Sequence, residues 1–166
     1  MLILRPTQTR DLDFVIQAEG DPENRSYIFQ WPQPEHAAAL RDPDVAHQII
    51  ERIADAAPVG YLILRGLTNP HGSLELRRLV VIQKGQGYGK QALRLLQHQA
   101  FEQYQAHRLW LDVKLFNQRA YGLYRQAGFV EEGRLRECLR TADGFESLVI
   151  MSVLATEYEQ MRRGLG

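Results

Sequence analysis

The sequence predicts an α/β protein built on one mixed β-sheet. Three observations carry this expectation. The first half of the chain reads as strands joined by turns, which suits antiparallel pairing. Strand, glycine loop, helix, strand and helix then follow in order, which demands a parallel pair. The end reads as a β-hairpin. Six or seven strands and about four helices are expected, with an antiparallel first half and a central parallel pair. No repeat, low-complexity tract or linker divides the chain, so residues 1–166 read as one domain.

The elements follow from local pattern. Leu2–Leu4 is a short apolar strand. Thr9 can cap a helix over Arg10–Glu19, with Leu12, Val15 and Ile16 on one face and Gly20 as the stop. The stretch 21–34 is irregular and carries Tyr27, Phe29 and Trp31 at alternating positions. Those aromatics suit either core packing under a loop or one wall of a substrate pocket. Glu35–Leu40 suits a short helix. His47–Ala54 fits either a helix or a strand, and the adjoining strand Pro58–Leu67 favours a hairpin. In that second strand Val59, Tyr61, Ile63 and Arg65 are expected on one side.

Leu74–Ile82 is the next strand and leads into glycines 85, 87 and 89. A helix over 87–104 carries Ala92, Leu93, Leu96 and Ala100 as an apolar stripe. Arg108–Lys114 alternates Leu109, Leu111 and Val113 with Trp110, Asp112 and Lys114. Asn117 caps a helix striped by Ala120, Leu123, Tyr124 and Ala127, and Gly128 supplies a left-handed end. Phe129–Leu139 and Phe145–Leu154 flank the turn Thr141-Ala142-Asp143-Gly144, and a short polar helix starts at Thr156.

Composition narrows the partners. Twenty basic residues balance twenty acidic ones, so no positive field points to nucleic acid. No apolar run is long enough to span a bilayer, and no secretory signal is visible, which makes the cytoplasm the simplest placement. The single cysteine, Cys138, has no intrachain partner, and no Cys/His spacing resembles a metal site.

The glycine loop is the chemical signal. Glycine lets backbone approach a ligand, and a helix N-terminus offers unpaired N–H groups and partial positive charge. A phosphate-bearing cofactor fits such a loop. The P-loop pattern fails, because Lys84 stands where its first glycine belongs and Gln91 follows Lys90. Gly87-x-Gly89-x-x-Ala92, with Asp112 ending the next strand, fits the dinucleotide fingerprint. That motif, however, arrives halfway along the chain, and too few residues follow for a second nucleotide-binding half.

A third reading rests on a resemblance. Lys84-Gly85-Gln86-Gly87-Tyr88-Gly89 is similar to the Arg/Gln-x-x-Gly-x-Gly/Ala motif of the GNAT acetyltransferases, with Lys at the first position. Asn117-Gln118-Arg119-Ala120 and Leu123-Tyr124-x-x-x-Gly128-Phe129 resemble that family's second segment. The ending, Glu132-Gly133-x-x-Arg136-Glu137 and then Met151–Leu154, looks like the branch containing ribosomal-protein N-terminal acetyltransferases. The resemblance covers nearly the whole chain and is strongest over 74–154.

The resemblance implies an acetyl-CoA-dependent N-acetyltransferase that transfers to a primary amine by direct attack in a ternary complex. A nucleotide- or NAD-binding domain and a catalytically silent CoA-binding protein are the alternatives. By similarity, the backbone of Gln86, Gly87, Tyr88, Gly89 and Lys90 holds the pyrophosphate, with Lys84 and Gly85 opening the motif. Leu79, Val80 and Val81 pair with the pantetheine arm, and Asn117 touches the cofactor. Tyr124 matches the general acid near the CoA sulfur. Asp112 occupies the position of a strand carboxylate that serves as base in relatives, and Glu75 on the neighbouring strand is the second candidate. Each carboxylate also suits a salt bridge to Arg77, Arg78 or Lys114. Tyr27, Phe29 and Trp31 are the candidate acceptor wall. The implied acceptor is a small-molecule or peptide amine, and the implied assembly is a monomer or homodimer.

Overall fold

A computed structural model describes residues 1–164 of the chain. Seven strands form one sheet: β1 (Leu2–Pro6), β2 (Val45–Arg52), β3 (Pro58–Arg65), β4 (Ser73–Val81), β5 (Arg108–Lys114), β6 (Val130–Thr141) and β7 (Gly144–Leu154). Their spatial order is β1-β2-β3-β4-β5-β7-β6. All neighbours run antiparallel except β4 and β5. Five α-helices accompany them among the described residues: α1 (Leu12–Gly20), α2 (Gln33–Ala39), α3 (Tyr88–His98), α4 (Gln118–Gln126) and α5 (Ala155–Gly164). This is the mixed sheet with a central parallel pair that the element order predicts.

Two layers cover the sheet. On one face Leu62, Leu64, Leu74, Leu76, Leu109 and Leu111 meet Leu93 and Leu96 of α3, Tyr124 of α4 and Tyr158 of α5. On the other, Ile49, Tyr61, Ile63 and Val80 meet Val15 and Ala18 of α1. Each face is a continuous apolar layer, and its burial drives sheet and helices together.

Several boundaries move for local reasons. Thr9 does not cap a helix. A single 3₁₀ turn over Thr9–Asp11 comes first, with Gln8 and Asp11 capping it reciprocally, and α1 begins at Leu12. The α2 helix starts two residues early, because Pro34 falls in its first turn, where a missing N–H costs nothing. The α3 helix ends at His98 and continues as a π-type turn, Gln99–Gln103. Val59 packs with Leu62 and Leu64, on the face opposite Tyr61 and Ile63.

Two irregularities place the functional region. In β4 the register passes from Ile63↔Arg78 to Leu64↔Leu76, leaving Arg77 as an extra residue in a bulge. The bulge inverts the alternation. Leu74 and Leu76 face one layer, whereas Val80 joins the other. The second irregularity is that β4 and β5 pair only over Ser73–Glu75 and Arg108–Trp110. Beyond that ladder the two strands part.

Candidate active site

Strands that part leave backbone unpaired at the middle of the sheet, and here the gap opens a cleft of about 900 Å³. Its floor is the second half of β4, including Leu79, Val80 and Val81. The glycine loop closes one end, and α4 closes one side.

Gly85 and Gly87 hold φ values of +80° and +74°, in the left-handed region where a side chain is strained. Gly87 is the N-cap of α3 and brings no capping side chain. The first-turn N–H groups of α3 therefore have no side-chain partner at the cap, and a Cβ at Gly85 or Gly87 would meet nothing within 4 Å. That combination of helix start, positive partial charge and empty space fits a pyrophosphate. Gln86, Tyr88, Gly89 and Lys90 complete the turn into α3.

Lys84 behaves differently from a free cation. Its ammonium donates to the Val81 carbonyl at 2.7 Å and to the Asn24 side-chain oxygen. Burial pushes its pKa down, and Arg119 adds to the effect. The side chain thus ties the end of β4 to the loop after α1.

Across the gap stand Asn117 and Tyr124. The Asn117 side chain accepts the Ala120 N–H at 3.2 Å and caps α4, as its position predicts. Tyr124, one face of α4 further on, is buried against Phe129 with ring centroids 5.7 Å apart. It lines the cleft. Burial raises its pKa, and the Asp112 charge pushes the same way, so the phenol holds its proton.

Asp112 lines the same cleft from β5. Burial raises its pKa while the Arg77 charge opposes the rise. Glu75 sits where β4 and β5 still pair, opposite Trp110, and does not line the cleft. Its pKa is raised, first by burial and also by the Asp112 charge, against Arg77 and Arg65. The structure thus brings Asp112 and Tyr124 to one space and leaves Glu75 outside it.

The aromatics separate in the same way. Tyr27 packs on Phe116 at 5.5 Å, and Phe29 lies under the Lys114 ammonium at 5.3 Å; both line the cleft. Trp31 does not. It lies beneath the Arg78 guanidinium at 4.9 Å, and its backbone N–H donates to the Glu19 carboxylate at 2.9 Å.

Glu19 belongs to a buried network that the sequence reading did not pick out. Tyr61 and Arg78 both donate to its Oε1, and His36 Nε2 lies 3.2 Å away. His36 Nδ1 meets His47 Nε2 at 3.1 Å, and His47 Nδ1 meets Thr7 Oγ1 at 2.9 Å. Burial disfavours the Glu19 charge, but these donors and Arg78 outweigh it and hold the pKa at about 2. The signal was available: Glu19 falls four residues after Val15, on the apolar stripe of α1, where a lone charge needs a partner.

Comparison with known proteins agrees with this geometry. The model of the acetyltransferase (GNAT) family matches residues 11–129. A spermidine N(1)-acetyltransferase of Vibrio cholerae is 26% identical over 165 residues, covering 95% of each chain. That of Escherichia coli strain K12 is 24% identical over 161 residues, covering 93% of this chain and 87% of its own. The crystal structure of the Vibrio cholerae enzyme with CoA and spermine superposes with a TM-score of 0.86 at 22% identity, covering 95% of this chain and 98% of that one. A dodecameric structure of the Vibrio cholerae enzyme scores 0.80 at 22% identity, covering 95% of each chain. These relatives are spermidine enzymes and not the ribosomal-protein acetyltransferases that the ending resembles. With a parted β4–β5 pair, a glycine turn at a helix start and a family match over most of its length, the chain belongs to the GNAT family and is an acetyl-CoA-dependent N-acetyltransferase.

Proposed function

We propose that this chain acetylates a primary amine by direct attack in a ternary complex, with Tyr124 as general acid and Asp112 as proton acceptor. The observation that supports it is the convergence of these two side chains on one cleft above the glycine loop. Bound acetyl-CoA supplies the thioester that the amine attacks. Backbone N–H groups of Gln86 to Lys90 would hold its pyrophosphate, Leu79 to Val81 would pair with the pantetheine arm, and Asn117 would border it.

The residues then divide the proton work. An alkylammonium has a pKa near 10.4 and must lose a proton before its nitrogen can attack. Asp112 accepts that proton, directly or through water, and its raised pKa makes it a better base than a free carboxylate. When the carbon–sulfur bond breaks, the Tyr124 hydroxyl gives its proton to the departing sulfur, and the second proton that the nitrogen sheds on becoming an amide restores the phenol. Cys138 is exposed on β6 and lies outside the cleft, so an acyl-cysteine has no place in this scheme.

The relatives make spermidine the reference acceptor. The ribosomal-protein likeness of the ending makes a peptide α-amine the other class to include. A cytoplasmic location is expected, and the monomer or homodimer that the resemblance implies stands against the dodecamer of a relative. Among the described residues no helix is long and apolar enough to cross a membrane. The dodecameric relative sets the assembly that light scattering must distinguish.

The deciding experiment follows thiol release from acetyl-CoA with an amine panel. Tyr124→Phe should lower kcat by about 10²–10⁴-fold, the usual contribution of a placed general acid. Unchanged turnover would remove Tyr124 from the mechanism.

A further inference from the structure

Charge on the acceptor side of the cleft discriminates among amines. A polyamine presents several ammonium groups and no anion, so its site needs several carboxylates. Here Asp112 is the one half-buried carboxylate on the cleft wall, and the other acidic residue there, Glu23, is exposed. Six cations line the same cleft: Lys84, Lys90 and Arg119 toward the glycine loop, and three on the strands, Arg77, Arg78 and Lys114.

Two of the three on the strands are already used. Arg78 is held by Glu19 deep in the second core layer. Lys114 bridges to Glu146 at 3.1 Å and donates to the Ser26 carbonyl at 3.0 Å. Arg77 is not used. Among the described residues it makes no ion pair and no hydrogen bond, and its Nε is buried without a partner. The β4 bulge displaces this one residue from the regular alternation and puts it on the cleft wall. Leaving the buried Nε–H of a cation unpaired costs free energy unless a group arriving in the cleft completes it. The opposite charges that it feels, Glu75 and Asp112, act on it across space without a contact.

We propose that Arg77 is an anion handle on the acceptor side, so that the preferred acceptor is an amine that also carries a carboxylate, such as a free amino acid. This rests on the amine-acetylating reading above. Asp112 then faces the reacting ammonium while the planar fork of Arg77 takes the carboxylate, a pairing that a lysine would match less well. Tyr27 and Phe29 line the same cleft and offer apolar surface to the acceptor's stem.

The test uses pairs that differ by one carboxylate: lysine against cadaverine, and phenylalanine against phenethylamine, with spermidine alongside. Thiol release gives kcat/KM, and calorimetry on the CoA-loaded protein gives binding without turnover. The carboxylated member of each pair should be preferred by about 10- to 100-fold, the worth of one charge-assisted pair. In Arg77→Gln that ratio should fall toward one, and Arg77→Lys should restore part of it. A thermal shift with acetyl-CoA confirms that each variant is folded. Spermidine as the best acceptor, or a ratio that survives in Arg77→Gln, would overturn the proposal. Carboxylated amines that bind through Arg77 while only other amines are acetylated would overturn it too, and thiol release with no amine of the panel would instead count against the amine-acetylating reading of the cleft.

Discussion

Acidification from pH 7 to pH 5 should loosen this fold through His47. The ring is buried on the face of β2, against His36 of α2 and stacked on Tyr61 of β3 at 5.5 Å. Burial, with the charges of His36 and Arg78 adding, lowers its pKa from 6.5 to about 4, while Glu19 and Asp11 oppose that shift. Between those values the unfolded chain binds a proton that the folded chain refuses, so stability rises with pH across the window. The contribution is complete above pH 6.5 and is lost as pH falls toward 4. A shift of this size is worth about 3 kcal/mol in full, and about 2 kcal/mol of it disappears between pH 7 and pH 5. Glu19, held at about 2, contributes below pH 4.5 and stays outside this interval. Urea unfolding followed by the fluorescence of Trp31 and Trp110 measures the change. His47→Gln should be less stable at pH 7 but should show a flatter pH dependence. An identical loss in both proteins would refute the reasoning, because the proton would then be binding elsewhere.

Other outcomes follow from the site and the core. Asp112→Asn should lower kcat/KM for the amine by about 10²-fold, whereas Glu75→Gln, outside the cleft, should change it far less; initial rates against pH separate the two. Gly87→Ala, at φ +74° with open space around it, should cost about 1 kcal/mol of strain and raise the KM for acetyl-CoA, read by kinetics beside a thermal melt. Gly60→Ala should destabilise the sheet by about 1–3 kcal/mol or more, because its Cβ would lie 2.2 Å from the Val80 carbonyl oxygen; the melting temperature reports it.

Much of this protein was legible in the residues alone. The order of strands and helices, the parallel pair and the glycine turn follow from periodicity and from the conformations that glycine permits. Asn117 capping α4 and Gly128 in the left-handed region at φ +90° were readable from residue type alone. These are local properties, set by neighbours within a few positions.

What only the tertiary structure decided is which distant groups meet. Asp112 and Glu75 are equivalent as residue types, yet one lines the cleft and the other does not, because β4 and β5 part just after Glu75. Tyr27, Phe29 and Trp31 alternate evenly, yet Trp31 turns to Arg78 and Glu19, which cannot be buried without partners. Arg77 reads as one more surface charge until the bulge sets it on the cleft wall with its Nε unpaired. Glycine loop and fold are written in local pattern. Strand separation, bulge and buried charge pairing arise from long-range register and solvation, which no window of residues contains.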